Sequence, residues 1–282
     1  MENEIFSQVL GYISIACWVV VSIPQLYENY KRKSSESLSI TFLIFWLLGD
    51  TFNLLGSILQ NLISTVILLA IYYIISDIVI IIQVLYYHNY KNTDEIVIEN
   101  SESIPLLRTQ QNSSFFSRNK QFLGISGGIF CVFLTGIIAY CISAISREFK
   151  NHNDDDDVIF ILSDEKQHLK FLPQLLGWLC AILYLGSRIP QIIKNYKSKS
   201  TEGLSLAMFC FSVLGNITFC FSILFHSTER EYLLINLPWL CGNGGTLFFD
   251  FTIFAQFYIY SNNNNNNNNN NSNNNNNRII DV

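Results

Sequence analysis

The sequence carries one stretch twice, and both copies stand at the end of an apolar run. The first reads Ser22-Ile23-Pro24-Gln25-Leu26-Tyr27-Glu28-Asn29-Tyr30-Lys31 and continues through Ser34, Glu36, Leu38 and Ser39. The second reads Ser187-Arg188-Ile189-Pro190-Gln191-Ile192-Ile193-Lys194-Asn195-Tyr196-Lys197 and continues through Ser200, Glu202, Leu204 and Ser205. A proline inside a helix removes a backbone hydrogen bond and collides with the preceding turn, so each copy is expected to kink its helix. Two proline-interrupted apolar segments in corresponding places are the pattern of a membrane bundle made of repeats, with a site between its halves. Few architectures accommodate that pattern.

Half of the residues are hydrophobic and only 14% are charged, against roughly 25% charged in an ordinary soluble domain. Apolar runs near 9–24, 38–60, 62–87, 122–146, 172–193, 204–225 and 233–260 are each about long enough to cross a bilayer. The fold predicted is an all-α integral membrane protein with seven transmembrane helices. The helices form two parallel three-helix-bundle repeats joined by a linker helix. On this reading residues 1–88 are the first repeat and 89–121 a cytosolic disordered loop. Residues 122–146 are the linker span, 147–171 a lumenal loop, 172–260 the second repeat and 261–282 an asparagine-rich cytosolic tail.

Basic residues gather after the first, third and fifth spans, and the positive-inside bias turns those loops to the cytosol. The N-terminus is then lumenal and both Pro-Gln loops and the C-terminus are cytosolic. Acidic Glu2 and Glu4 precede the first span in place of a basic n-region, so the span reads as retained and not as a signal peptide. The basic clusters are short and juxtamembrane, which does not support nucleic-acid binding. All seven cysteines lie in apolar runs and read as small buried hydrophobes, without zinc-ligand spacing. No histidine pair has metal-ligand spacing either, and no nucleophile elbow or phosphate loop occurs, so neither an enzyme nor a cofactor is expected.

Three aspartates fall at bilayer depth: Asp50, Asp77 and Asp250. Each costs roughly 2.5–3.5 kcal/mol on insertion scales, so each needs a reason. Either they tie helices together through hydrogen bonds, or they face a watery passage and meet a cation or a proton. Asn53 stands one turn beyond Asp50, Asn216 occupies the place of Asp50 in the second repeat, and Asp77 with Gln83 matches Asp250 with Gln256. Asn243, set among Gly242, Gly244 and Gly245, implies close backbone packing or unwound chain lining a cavity. The candidate passage is therefore Asp50, Asn53, Asp77, Asn216, Asn243 and Asp250, and the candidate hinges are Pro24, Gln25, Pro190 and Gln191. Arg188 either snorkels to the headgroups or pairs with a buried aspartate, and snorkelling is the simpler expectation. In the 89–121 segment, Glu102 with Leu106 and Leu107 forms an acidic dileucine pattern of the kind sorting adaptors read.

The two Pro-Gln stretches resemble the PQ-loop family of membrane transporters, over essentially the whole membrane portion. Trp46-Leu47-Leu48-Gly49-Asp50 with Asn53 to Gly56 is similar to the corresponding helix of lysosomal and vacuolar exporters of cationic amino acids. So are Gly186 to Ile192, Lys199 to Ser205, and Pro238-Trp239 leading through Gly245 to Asp250 and Gln256. The resemblance implies export of arginine, lysine and histidine from an acidic organelle, by facilitated or proton-linked transport. Cystinosin, a cystine exporter of that family, has a similar aspartate-then-glutamine pattern, and there the aspartate is linked to protons. One departure is Ser64-Thr65-Val66, where those exporters carry a Pro-Thr-Gln-like stretch. A lysosomal or vacuolar cationic amino acid transporter is the leading expectation. Proton-coupled transport of another amino acid such as cystine, or a non-transporting seven-helix cargo or nutrient-sensing receptor, stays open beside it.

Overall fold

The computed structural model describes residues 2–59, 64–99, 115–150 and 170–280, all in helices or short turns, with no strand among them. The helices are α1 (Glu2–Val20), α2 (Ile23–Arg32), α3 (Ile40–Leu59), α4 (Ser64–Glu99), α5 (Phe115–Lys150), α6 (Phe171–Ser198), α7 (Leu206–His226) and α8 (Arg230–Ile280). Six stretches are long and apolar enough to cross a bilayer: Asn3–Arg32, Ile40–Leu59, Ile67–His88, Leu123–Ser146, Phe171–Ser198 and Leu206–His226. The remaining expected span lies in α8. Its Asn243, Gly244, Gly245, Asp250 and Gln256 dilute its hydropathy, and α8 packs against both α6 and α7. The protein is an all-helical integral membrane protein.

Packing follows the duplication. Helix α1 lies against α7 and α6 lies against α3, so each first helix of one repeat grips the second helix of the other. Within the repeats, α3 packs on α4 and α7 packs on α8. Exchanging α1, α3 and α4 for α6, α7 and α8 maps these contacts onto one another. One contact is unequal. Helix α6 runs along α8, whereas the first repeat joins its outer helices through α2 on α4, through the Tyr72 hydroxyl donating to the Val19 carbonyl, and through Trp18 against Tyr73.

The two prolines also differ. Around Pro24 the chain turns at residues 21–22 and α2 restarts with the proline in its first turn. The carbonyl a proline would strike belongs to the residue four back, here Val20, and that is where α1 stops. Pro190 instead sits inside an unbroken α6. Both helices then end alike, with Lys33 (φ 52°) and Lys199 (φ 49°) in the left-handed region, each ammonium lying over the tyrosine three residues back.

Two expectations change, and one pair of alternatives is decided. The segment expected to be a disordered loop is partly helical, because α4 runs on to Glu99 and α5 begins at Phe115. No glycine or proline stands between Ser64 and Ile104 to stop α4, and the first breaker is Pro105. The dileucine residues Glu102, Leu106 and Leu107 lie outside the described residues. At the other end, α8 continues through the asparagine tract to Ile280 without meeting a breaker. The Gly242–Gly245 stretch is not unwound: a side chain at Gly242 would press on Ala181 at 3.1 Å, so the glycines serve close α6–α8 packing. Of the cysteines, Cys131, Cys141 and Cys241 are exposed on the helix surface and not buried.

Helix α5 touches the bundle chiefly along α1, and Phe130, Ile138 and Ile142 stand exposed on it, as a lipid-facing helix requires. The tightest of its glycines is Gly136, where an added Cβ would lie 2.8 Å from the Ile13 Cα and 2.9 Å from its nitrogen. Gly136→Val is expected to cost about 1–3 kcal/mol by overpacking, seen as a lower thermal unfolding midpoint in detergent. Gly124→Val on the same helix, where nothing lies within 4 Å, is expected to leave the midpoint unchanged.

Candidate functional site

At the basic end of the bundle each Pro-Gln glutamine reaches across to the other repeat. Gln25 Nε2 donates to the Gly203 carbonyl (3.1 Å), and the Ser205 N–H donates to Gln25 Oε1 (2.7 Å). Gln191 Nε2 donates to the Ser37 carbonyl (2.9 Å), and the Ser39 N–H donates to Gln191 Oε1 (2.8 Å). Ser39 and Ser205 sit just before α3 and α7, and their hydroxyls accept from the backbone of Phe42 and Met208. Each glutamine thus holds the start of a helix in the opposite half. The second amide hydrogen goes to Asn29 Oδ1 or Asn195 Oδ1, both at 2.8 Å. Those asparagines donate in turn to Gln83 and Gln256, whose own amides donate to the Leu26 and Ile192 carbonyls. The result is two copies of one polar latch, with Gln25, Asn29 and Gln191 fully buried and Asn195 nearly so. An exposed ion pair from Arg32 to Glu202 (2.9 Å) and a bond from the Lys194 ammonium to the Leu38 carbonyl flank it.

Deeper in the bundle the two repeats diverge. Arg188 Nε lies 2.9 Å from Asp250 Oδ1, with both side chains buried. The guanidinium also donates to Ser212 Oγ (3.1 Å) and Ser187 Oγ (3.2 Å), and Ser212 donates to Asp250 Oδ2 (3.2 Å). The rings of Phe42 and Trp46 lie 5.4 and 5.3 Å from the guanidinium carbon, close enough for cation–π attraction. Arg188 therefore pairs with a buried aspartate and does not snorkel. The cause is local. Arg188 lies two residues before Pro190 on the inward face of α6, and the nearest partner for its charge is Asp250 on the adjoining α8.

Asp50 is the eleventh residue of the twenty-residue α3, about 15 Å from either end at 1.5 Å per residue. The Tyr184 hydroxyl of α6 donates to its Oδ1. Gly49 makes that bond possible: a Cβ there would stand 2.6 Å from the Tyr184 ring. Asp77 stands on α4, which packs on α3, near enough to Asp50 for their charges to interact, and its Oδ2 is buried without a hydrogen-bond partner. Two of the expected site residues are therefore buried on neighbouring helices. The others do not join them. Asn216 donates to Thr246 Oγ1 (2.9 Å), and Asn243 turns back onto the Trp239 carbonyl (2.8 Å) of its own helix. Asn53 is half-buried on α3. Pro24 and Pro190 are half-buried beside their latched glutamines.

Sequence comparison bears on what this geometry is for. The sequence model of the PQ loop repeat matches residues 6–66 and 172–231, one copy in each half. A vacuolar lysine transporter of Saccharomyces cerevisiae is 37% identical over 92% of this chain and 95% of its own length. The chain belongs to the PQ-loop repeat family. A second protein of the same yeast, a vacuolar histidine transporter, is 35% identical over 90% of this chain and 92% of its own length. The human lysosomal amino acid transporter 1 homolog is 30% identical over 89% and 81%.

Within this PQ-loop chain the repeat alignment fixes which partners correspond. Pro24 falls on Pro190, so Ser22 falls on Arg188, and the first half has no cation where the second has one. Sequence reasoning missed Tyr184, Ser212 and the asparagines Asn29 and Asn195. The asparagines were detectable, since they recur at matched positions of the duplication. The tyrosine has no such signal, because its role depends on a glycine in another helix. Asp250→Asn is expected to lower stability by about 3–5 kcal/mol by stranding a buried charge. The paired change Arg188→Met with Asp250→Leu should recover most of that loss, read from thermal unfolding of the purified chain.

Proposed function

We propose that this protein carries cationic amino acids, lysine, arginine and histidine, from the lumen of a vacuole or lysosome to the cytosol by alternating access. The observation that carries the reading is the burial of the acidic residues Asp50 and Asp77 on adjoining helices, Asp50 bonded to Tyr184 of the other half, in a chain whose relatives are named for lysine and histidine transport. Carboxyl groups in low dielectric attract a positively charged side chain far more strongly than the same groups in water. The N-terminus is lumenal and the basic loops and C-terminus are cytosolic, so the latched state is closed toward the cytosol.

Opening toward the cytosol requires Gln25 and Gln191 to release four bonds to the opposite repeat. At roughly 0.5–1.5 kcal/mol net each, that is about 2–6 kcal/mol. A ligand that binds one state preferentially supplies free energy on that scale, since about 5.5 kcal/mol reverses a 1:99 population. Pro24 and Pro190 are the hinges, each in the helix that bears its latch glutamine. Organelle sorting runs through Glu102, Leu106 and Leu107, read by adaptor proteins.

Replacing Leu106 and Leu107 with alanine should reroute the protein to the cell surface, where the lumenal face meets the medium. Radiolabelled lysine and arginine uptake at acidic external pH is then expected to rise above that of untransfected cells. Asp50→Asn combined with Asp77→Asn should return uptake to background. Uptake at background with the unmodified carboxyls in place would defeat the proposal.

A further inference from the structure

The Pro-Gln helices turn one face inward to the latch and the opposite face outward, and the outward faces match. On α2 the exposed side chains recur at Ile23, Tyr27 and Tyr30; on α6 they recur at Ile189, Ile193 and Tyr196, the same three places of the duplication. Spacings of four and then three residues put each set on one side of its helix, away from buried Gln25 and Asn29 or Gln191 and Asn195. Each stripe runs from an isoleucine to a tyrosine at the basic end. The next position along it is a lysine in the left-handed region. The Lys33 ammonium lies 3.8 Å from the centre of the Tyr30 ring, and that of Lys199 lies 3.4 Å from the centre of the Tyr196 ring. A lysine reaching for water would extend past the helix end. These two fold back over three residues, about 4.5 Å toward the bilayer at 1.5 Å per residue. Glycine adopts this backbone without penalty, and the bonds that close α2 run from the Lys33 backbone N–H to the Asn29 and Tyr30 carbonyls. Capping therefore does not call for a lysine in either copy. Lys31 and Lys197 stand exposed close by in the chain, while Glu28 and Glu202 are held by Arg32. The four lysines have no acidic partner among the described residues.

We propose that each Pro-Gln helix carries a seat for one anionic phospholipid of the leaflet at that end of the bundle. The acyl chains lie along the stripe from isoleucine to tyrosine, and the headgroup meets Lys31 and Lys33 on α2 or Lys197 and Lys199 on α6. Basic side chains beside a membrane surface attract lipids of net negative charge. A zwitterionic headgroup brings its own cation and answers the lysines less well. Free phosphate has no chains to cover the stripe. The seats are independent of what the chain transports, and each lies on the back of a helix whose other face bears a latch glutamine.

The test uses the full chain in nanodiscs of phosphatidylcholine, with or without phosphatidylserine. Native mass spectrometry of the wild type from mixed discs should show two retained phosphatidylserines, preferred over phosphatidylcholine by roughly fivefold for each lysine at the surface. Lys31→Gln with Lys33→Gly should leave one, and adding Lys197→Gln with Lys199→Gly should leave none. Phosphatidylserine should raise the thermal unfolding midpoint of the wild type but not of the four-substitution variant, and added salt should shrink that rise. In phosphatidylcholine alone the variant should unfold no earlier than the wild type, because glycine relieves the left-handed backbone. An earlier midpoint there would assign the lysines to holding the helix ends and overturn the seats. Undiminished phosphatidylserine retention by the variant overturns them too, as does an equal rise in the wild-type midpoint from inorganic phosphate in phosphatidylcholine discs.

Discussion

Hydrocarbon offers a buried polar group nothing to bind, so the protein has to supply each partner itself. That constraint explains why so much of this chain's polar chemistry is arranged in closed sets. Each latch glutamine spends its carbonyl and both amide hydrogens on named acceptors and donors, and the neighbouring asparagine and glutamine complete the set. The same requirement gives Arg188 an aspartate and two serines. Against that background two oxygens stand out among the described residues as buried without a partner, Asp77 Oδ2 and Ser37 Oγ.

The duplication is kept where the halves hold one another and abandoned where charge is handled. Latch residues agree pair by pair, Gln25 with Gln191, Asn29 with Asn195 and Gln83 with Gln256, and their bonds agree as well. A mutual grip works only if both hands are alike. At mid-depth, by contrast, an arginine faces a serine position and an aspartate faces an asparagine position. The proline helices follow the same division: the same Pro-Gln pair ends in a broken helix in one half and a continuous one in the other.

The helical class, the spans and the repeat were legible because apolar length and local identity are properties of contiguous residues. Asp50, Asp77 and Asp250 were legible as costly groups at depth. Their partners were not, since nothing local distinguishes an arginine that snorkels from one that turns inward to Asp250. Tyr184 reaches Asp50 across a gap opened by Gly49 on another helix, a coincidence of two elements that no single window contains. Helix ends were misjudged for a related reason. A polar stretch without glycine or proline looks like a loop by composition, yet nothing in it obliges α4 to stop.

Arg188 has a bearing on how such a chain can be assembled. Two copies of the first half would bring serine to both places and leave both aspartates unanswered. Two copies of the second would bring an arginine to each and pair both aspartates. Only the joining of unlike halves gives Asp250 an ion-pair partner built into the chain and Asp77 a serine at the matching place, so the two repeats cannot be exchanged for one another here.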